Sequence, residues 1–167
     1  TRCLAVTGVQ TCALPISLAT TDIALIKVPR TLGLAAVFPR ATASVANDMV
    51  FAEAYDRLKP MLAHGGALGN AFVDSTQHDP AHLVLRSNVT FGTSGAPVLD
   101  SRGLVEGVVS RRTTIDRVLA VDAAHAKSFL SAHGIRVQED DRPQMSGTAS
   151  RAHRAASISA RVTCLQQ

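Results

Sequence analysis

Short apolar runs separated by turn-forming residues are the feature that most constrains the fold of this chain. Runs of this length with turns between them predict an all-β barrel or sandwich. A chain of 167 residues that is 46% hydrophobic and 18% charged is long enough and apolar enough to bury one core. The predicted strands are 22–28, 45–52, 67–73, 83–85, 97–99, 104–109 and 117–121.

One helix is clearly marked after these strands. Asp122 is a suitable residue for its N-cap, and Gly134 can close its C-terminal end. The face at helical spacing consists of Ala126, Phe129, Leu130 and His133. We expect this helix to dock on the barrel. Residues 53–58 also contain good helix formers, but Pro60 limits a helix there, and a strand that runs into a loop fits equally well.

The composition argues against several classes of partner. Aromatic residues make up only 4% of the chain, so a nucleic-acid platform built on stacked aromatic rings is not expected. A net charge of +4, from 17 basic and 13 acidic residues, does not indicate a DNA partner. No apolar run approaches the ~18 residues of a membrane span, so we expect no such span.

The first sixteen residues, Thr1 to Ile16, have neither strand nor helix periodicity. Val6 to Ile16 resembles the conceptual translation of a sequencing-library adapter, codon by codon. We therefore interpret residues 1–16 as an artefactual segment and place the start of the native sequence near Ser17. This segment is not expected to form an integral strand of a barrel.

The composition shifts again after residue 138. Residues 139–153 are rich in polar and small residues and predict a linker. Alternating residues between Ile158 and Cys164 predict an edge strand, and the arginines of the tail predict a solvated face. The chain thus divides into residues 1–16, a domain at 17–138, and a polar linker and tail at 139–167.

The sharpest chemical signal is residues 91–100, FGTSGAPVLD, in which Ser94 lies among small residues. A nucleophilic serine needs exposure on a tight turn, where small neighbours admit the substrate carbonyl. It also needs backbone N–H groups aimed at the oxyanion, which Gly92 and Ser94 itself can supply. Residues 91–100 therefore make Ser94 a candidate nucleophile.

Three segments together resemble the trypsin-like serine proteases, in particular their bacterial branch. Residues 91–100 resemble the nucleophile motif of that family, and DIALIKV at 22–28 resembles its catalytic aspartate strand. GLVEGVVS at 103–110 resembles the strand that lines the primary specificity pocket. The helix that contains FLSAHGI resembles the family's C-terminal helix, and the resemblance covers residues 20–137.

The resemblance implies a fold of two antiparallel β-barrels, of which this chain holds the end of the first, the second, and a C-terminal helix. It assigns Asp22 to the orientation of a catalytic histidine and Ser94 to nucleophilic attack. Gly92 and Ser94 match the oxyanion-hole donors, and Ser110 begins the substrate-pairing strand. Asn88 matches the base of the specificity pocket. A protein or peptide substrate, no cofactor and an extracytoplasmic location are implied.

At several positions the sequence departs from the family pattern, and these departures limit which properties of the family can be assigned to this chain. Thr93 stands where digestive enzymes have an aspartate, Ala96 replaces the second glycine, and neutral Asn88 argues against a strong Arg or Lys preference. No histidine precedes Asp22, where the family has its catalytic base. All six lie later: His64, His78, His82, His125, His133 and His153. We interpret the chain as N-terminally truncated and expect almost no protease activity from it.

Two alternatives stay open. The first is a catalytically dead trypsin-like domain that binds proteins. The second is an α/β-hydrolase, with Ser94 as nucleophile and partners drawn from later aspartates and histidines. The candidate partners are Asp116, Asp122, His125 and His133. The hydrolase reading requires that the serine turn lead into a helix.

Overall fold

The computed structural model describes residues 16–18, 22–41, 45–63, 71–74, 82–87, 93–145 and 150–162. Their strands and helices follow one another along the chain in a mostly β arrangement. The first half contains β1 (Ile16–Leu18), β2 (Ile23–Leu25), β3 (Val37–Phe38), β4 (Met49–Val50), α1 (Tyr55–Ala63), β5 (Ala71–Val73) and β6 (His82–Ser87). The second half contains β7 (Pro97–Leu99), β8 (Val105–Arg112), β9 (Arg117–Asp122), α2 (Ala123–Ala132), β10 (Gln138–Glu139) and α3 (Arg151–Ile158).

A six-stranded antiparallel sheet forms the centre of the molecule, in the order β4-β5-β6-β9-β8-β7. An antiparallel bridge between Phe51 and Leu99 joins the end of β4 to β7, so the sheet is nearly closed into a barrel. The barrel interior is filled by small aliphatic side chains, as the low aromatic content requires. They include Val50, Ala52, Val73, Leu85, Val98, Val109, Val118 and Ala120. The predicted all-β class, with an antiparallel barrel followed by a helix, is confirmed.

A second core lies between the outer face of the barrel and the helices. Leu99, Val105 and Val121 face outward from the sheet and pack with β2, α1, α2 and α3. Ile23 and Leu25 of β2 belong to this cluster, so the aspartate strand is packed against the barrel. β2 pairs with β1, and β3 pairs in parallel with β10. Burial of these apolar faces is what positions the segments around β8.

The prediction for α2 is confirmed at both ends. The Asp122 carboxylate accepts a hydrogen bond from the His125 backbone N–H at 2.8 Å, which satisfies one of the free amides at the helix start. Gly134 adopts a φ of 73°, the left-handed conformation in which a glycine ends a helix. Phe129 and Leu130 are buried in the outer core, as the helical spacing indicated.

The tail prediction is wrong in its secondary structure. Residues 151–158 form α3, although 151–153 were expected in the linker, and residues 159–162 form no strand where an edge strand was expected from Ile158 to Cys164. Residues 163 and 164 of that predicted strand lie outside the described residues. Ala152, Ala155 and Ile158 recur every three residues and bury one helical face in the outer core. Arg154, expected on a solvated face, is only 6% exposed and donates a hydrogen bond to the Ala35 carbonyl at 3.0 Å. Packing of this helical face against the outer core outweighed the polar composition from which a linker was predicted.

Two predicted strands are shorter than expected, and one helix is longer. The strand at 45–52 is reduced to β4, and the strand at 22–28 is reduced to β2. α1 continues through Pro60, although this proline was predicted to limit a helix there. Leu58 of α1 is 2% exposed within the outer core, and its burial helps to hold the helix despite the proline.

The interpretation of the N-terminal segment falls largely outside the described residues, because residues 1–15 are not among them. Ile16, its last residue, begins β1 and pairs with Leu25 rather than with the barrel sheet. The artefactual origin of this segment and the division of the chain at residue 138 stay predictions. Among the helices described, none has the length and apolarity needed to cross a membrane.

Candidate active site

Asp22 lies in a turn at the start of β2. Its φ of 53° is left-handed, a conformation that aspartate adopts more readily than most residues. The three residues that follow it, 23–25, are all buried, whereas Asp22 is exposed. The buried strand therefore fixes the backbone that follows Asp22.

Ser110 holds this carboxylate in place. Its hydroxyl donates a hydrogen bond to Asp22 Oδ2 at 2.7 Å. Ser110 itself is 2% exposed, in the long strand β8, which lies between β9 and β7 in the barrel sheet. A hydrogen bond to a charged acceptor from a buried, rigid donor is among the stronger polar contacts in a protein. Asp22 thus has a defined position relative to β8.

The turn that contains Ser94 is bonded to the residue next to Ser110. Gly95 donates its backbone N–H to the Val109 carbonyl at 2.7 Å, and Val109 donates to the Ala96 carbonyl at 2.9 Å. Gly95 has a φ of 86°, which its lack of a Cβ allows. Ser94 is exposed at the tip of this turn. The hydroxyl is therefore presented to solvent from a firmly bonded turn, as a nucleophile requires.

Asp22 and the turn that contains Ser94 are thus hydrogen-bonded to adjacent residues of one strand. Asp22 is bonded to Ser110, and the turn is bonded to Val109. That Asp22 and Ser94 share one cleft across which a histidine can reach both remains a prediction. Gly92 and Asn88 lie outside the described residues, so the oxyanion hole and the pocket base also stay predictions.

Two histidines have partners away from this pair of residues. His125 Nδ1 lies 2.9 Å from Asp122 Oδ1, at the start of α2. His133 Nδ1 lies 2.7 Å from the carbonyl oxygen of Phe129, in the last turn of the same helix. Across the described ranges, no three or more His, Cys, Asp or Glu side chains are grouped as a metal ion would require.

Basic side chains surround the end of β8 beyond the candidate site. The Arg112 guanidinium donates to the carbonyls of Thr114 and Ile115 in the following loop. Arg117 forms an ion pair with Asp74, and this hydrogen bond raises the pKa of the Arg117 guanidinium. These contacts hold the β8–β9 hairpin, whose strands flank residues 113–116.

The extension of β8 to Arg112 was missed from the sequence, where the strand was predicted to end at Val109. The register shifts between Val109 and Arg111, so Ser110 is an extra residue in a β-bulge. A bulge interrupts the alternation of buried and exposed positions by which strands are recognised. The charged pair Arg111 and Arg112 then resembles the start of a loop.

The α/β-hydrolase alternative is wrong. Its nucleophile turn must lead directly into a helix. Here the Ser94 turn leads into β7, whose residues Val98 and Leu99 are fully buried in the sheet. Asp122 and His125, two of the partners considered for that reading, form the N-cap contact of α2.

Comparison with known proteins gives only distant matches. No family model matches the chain, and no curated protein matches it. The crystal structure of the Rv3671c protease in its inactive form is 19% identical with a TM-score of 0.49, and the match covers 72% of this chain and 66% of that one. A serine-to-alanine mutant of Rv3671c from M. tuberculosis H37Rv, also inactive, is 19% identical with a TM-score of 0.47 over 74% and 64%.

The active form of the Rv3671c protease from M. tuberculosis is 21% identical with a TM-score of 0.43, over 75% of this chain and 56% of that chain. The chain therefore spans less than two thirds of the length of each of these three structures.

Proposed function

We propose that this chain carries the nucleophile and the orienting aspartate of a trypsin-like serine endopeptidase. The observation that supports the proposal is the convergence of Asp22 and the Ser94 turn on neighbouring residues of β8. An exposed serine on a bonded turn and a carboxylate that accepts a hydrogen bond from a buried hydroxyl are two parts of a Ser-His-Asp triad. The substrate is a protein or peptide.

In this mechanism, Ser94 Oγ attacks the scissile carbonyl carbon and its proton passes to the imidazole of a histidine. The N–H groups of Gly92 and Ser94 stabilise the oxyanion of the tetrahedral intermediate. The imidazolium then protonates the leaving amine, and water hydrolyses the acyl ester on Ser94 by the same steps. Asp22 orients the imidazole and stabilises its charged form.

The histidine is the missing part. No histidine precedes Asp22 in the sequence, and in this proposal the base comes from a part of the protein outside residues 17–167. Loss of the histidine from a comparable triad costs about 10⁶ in kcat. The chain alone is therefore expected to acylate Ser94 very slowly.

Substrate contacts follow from the same assignment. Ser110 begins the part of β8, residues 110–112, on which the substrate backbone pairs, and the neutral Asn88 matches the pocket-base position of the family pattern. A neutral pocket base does not provide the buried carboxylate that attracts Arg or Lys side chains. The primary preference is therefore for an uncharged side chain.

A second candidate function is protein binding by a catalytically dead domain of this fold. The observation that favours it is the lack of a histidine before Asp22. Both readings predict the same fold and the same Asp22–Ser110 contact. They differ in whether Ser94 can be acylated when a base is supplied.

Free imidazole supplies that base without altering the chain. We expect labelling of Ser94 by a fluorophosphonate probe to increase about 10-fold or more as imidazole is added, because the small molecule accepts the hydroxyl proton. Ser94→Ala should abolish the imidazole-dependent labelling, and Asp22→Asn should reduce it. Ser101→Ala, at another exposed turn serine, is the matched control and should label normally.

Three outcomes would contradict the proposal or a part of it. A folded chain that stays unlabelled at all imidazole concentrations supports the binding domain. Labelling that persists in Ser94→Ala places the reactive group elsewhere. Rapid Ser94-dependent labelling without imidazole shows that one of the later histidines acts as the base.

A further inference from the structure

The β-bulge in β8 sets the direction of the Arg111 side chain. Val109 lies opposite Ala120, and Arg111 lies opposite Leu119, so Ser110 is the additional residue between them. Val109 and Ala120 belong to the barrel interior. In an unbulged strand side chains alternate, and the second residue after Val109 would also point inward. The bulge instead pairs Arg111 with a residue of the opposite face.

That opposite face is the outer one, where Asp22 lies. Leu119 stands between Val118 and Ala120, which both point into the barrel, so its own side chain points outward. Ser110 also points outward, because its hydroxyl reaches Asp22. Arg111 therefore shares a face with the contact that fixes the candidate catalytic carboxylate.

The Arg111 guanidinium is available for a ligand. Arg111 is exposed, and throughout the part of the chain that the structure describes it has no hydrogen-bond or ion-pair partner. Its neighbour Arg112 is bonded to the carbonyls of the 113–116 loop, and Arg117 is bonded to Asp74. The acidic residues nearest to Arg111 in sequence are Glu106, which is buried and lies 4.0 Å from Arg102, and Asp116, which accepts a hydrogen bond from Thr114. On the outer face, the Asp22 carboxylate accepts a hydrogen bond from Ser110.

Arg111 lies beside the path that a peptide substrate would follow along β8 toward Ser94. β7 runs antiparallel to β8 and starts with Pro97 opposite Val108, just after the Ser94 turn. β8 continues past that point to Arg112. A peptide that continues the line and direction of β7 runs antiparallel to β8, so its residues beside Arg111 precede those that reach Ser94. At a rise of about 3.3 Å per residue, Arg111 is roughly 7 Å along the strand from Val109.

We propose that Arg111 selects substrates with Asp or Glu about two to four residues before the scissile bond, on its N-terminal side. This rests on the proposed function, because Ser94 defines where the scissile bond lies. A guanidinium with all its donors free can bind a carboxylate through two parallel hydrogen bonds, which a Gln or Asn side chain cannot reproduce. The basic neighbours of Arg111 reinforce the preference at longer range.

Binding of labelled peptides tests this without any catalytic step. Fluorescein-labelled peptides of alternating Ala and Thr, each with one Glu or one Gln at successive positions, are titrated with the chain and followed by anisotropy. At low ionic strength we expect the best Glu peptide to bind about three- to fivefold more tightly than its Gln counterpart. High salt should reduce this ratio toward one.

Substitutions of Arg111 test whether its guanidinium causes the preference for Glu over Gln. Arg111→Gln should bring the Glu/Gln ratio to about one, Arg111→Lys should keep part of it, and Arg111→Glu should reverse it. Arg136→Gln is the matched control, because Arg136 is also exposed and without a described partner, in the loop after α2. It should leave the ratio unchanged.

The outcomes separate this inference from the proposed function. An unchanged Glu/Gln ratio in Arg111→Gln, or no peptide binding up to about 1 mM, overturns the inference even if Ser94 is acylated in imidazole. A ratio that depends on Arg111 in a chain whose Ser94 is never acylated supports the acidic preference as that of a binding groove and refutes the protease.

Discussion

The Ser110 hydroxyl donates a hydrogen bond to Asp22 Oδ2 at 2.7 Å, across 88 positions of the sequence. Ser110 is buried in the barrel sheet, whereas Asp22 is exposed at the start of β2. This contact ties the aspartate strand to the strand that also receives the Ser94 turn. The positions of Asp22 and Ser94 relative to each other depend on this contact and on the backbone hydrogen bonds between the Ser94 turn and Val109.

Substitution of Ser110 tests that dependence. Ser110→Ala should lower the imidazole-dependent acylation of Ser94 about three- to tenfold, because Asp22 loses the donor that orients its carboxylate. Ser110→Thr keeps a hydroxyl and should retain more of the rate. The rates are measured by fluorophosphonate labelling. Urea unfolding is measured separately, to confirm that the variants are as stable as the parent chain. Equal rates in Ser110→Ala and the parent chain would show that Asp22 is oriented by other contacts.

Gly33 allows α3 to dock against the segment before β3. A Cβ at this position would collide with the Ser157 carbonyl oxygen, which accepts a hydrogen bond from Leu34 at 2.8 Å. Gly33→Ala should therefore lower the free energy of unfolding by about 1–3 kcal/mol, measured in urea. Gly134→Ala, where a Cβ meets nothing within 4 Å, should cost only the roughly 1 kcal/mol of its left-handed backbone. A smaller effect at Gly33 than at Gly134 would contradict this packing of α3.

The ion pair between Arg117 and Asp74 holds the β8–β9 hairpin to the end of β5. The Asp74 side chain is 1% exposed, and its Oδ2 lies 2.8 Å from Arg117 Nε. Arg117→Met should lower the urea midpoint of unfolding, because a buried carboxylate loses its charged partner. Arg136→Met removes an exposed arginine and should have little effect. If both variants unfold at the same midpoint, the ion pair adds nothing to stability.

Arg142 depresses the pKa of Asp140 well below the usual range of a carboxyl group. The cause is the side-chain hydrogen bond from Arg142, followed by backbone N–H donors of residues 141 and 142. A depressed pKa stabilises the fold above the ordinary carboxyl pKa, and this contribution is lost as the pH falls through the folded-state value. Arg142→Ala should raise the midpoint of the Asp140 carboxyl signal in an NMR titration toward about 3.9.

Arg136→Ala serves as the control for that titration and should leave the Asp140 midpoint unchanged. An unchanged midpoint in Arg142→Ala would mean that the backbone donors alone depress the pKa.

Local sequence signals predicted the elements whose ends depend on nearby residues. β7 was predicted at 97–99 and lies there, because turn-forming residues bound a short apolar run. α2 was predicted from Asp122 to Gly134, because capping acts within one turn of the helix. The candidate residues Asp22, Ser94 and Ser110 were also found by local motif.

Tertiary structure decided the features that depend on distant partners. Burial of one helical face made residues 151–158 a helix and brought Arg154 to the Ala35 carbonyl, against the polar composition of this segment. The bulge at Ser110 arises from pairing with β9, and it alone turns Arg111 outward. The sequence by itself determined the all-β class, through turn preferences and short apolar runs that act over a few residues, and the motif resemblance supplied the candidate residues of the site. Only the tertiary structure decided that Asp22 meets Ser110, because the free energy that joins them comes from burial of the outer core shared by β2, β8 and the helices.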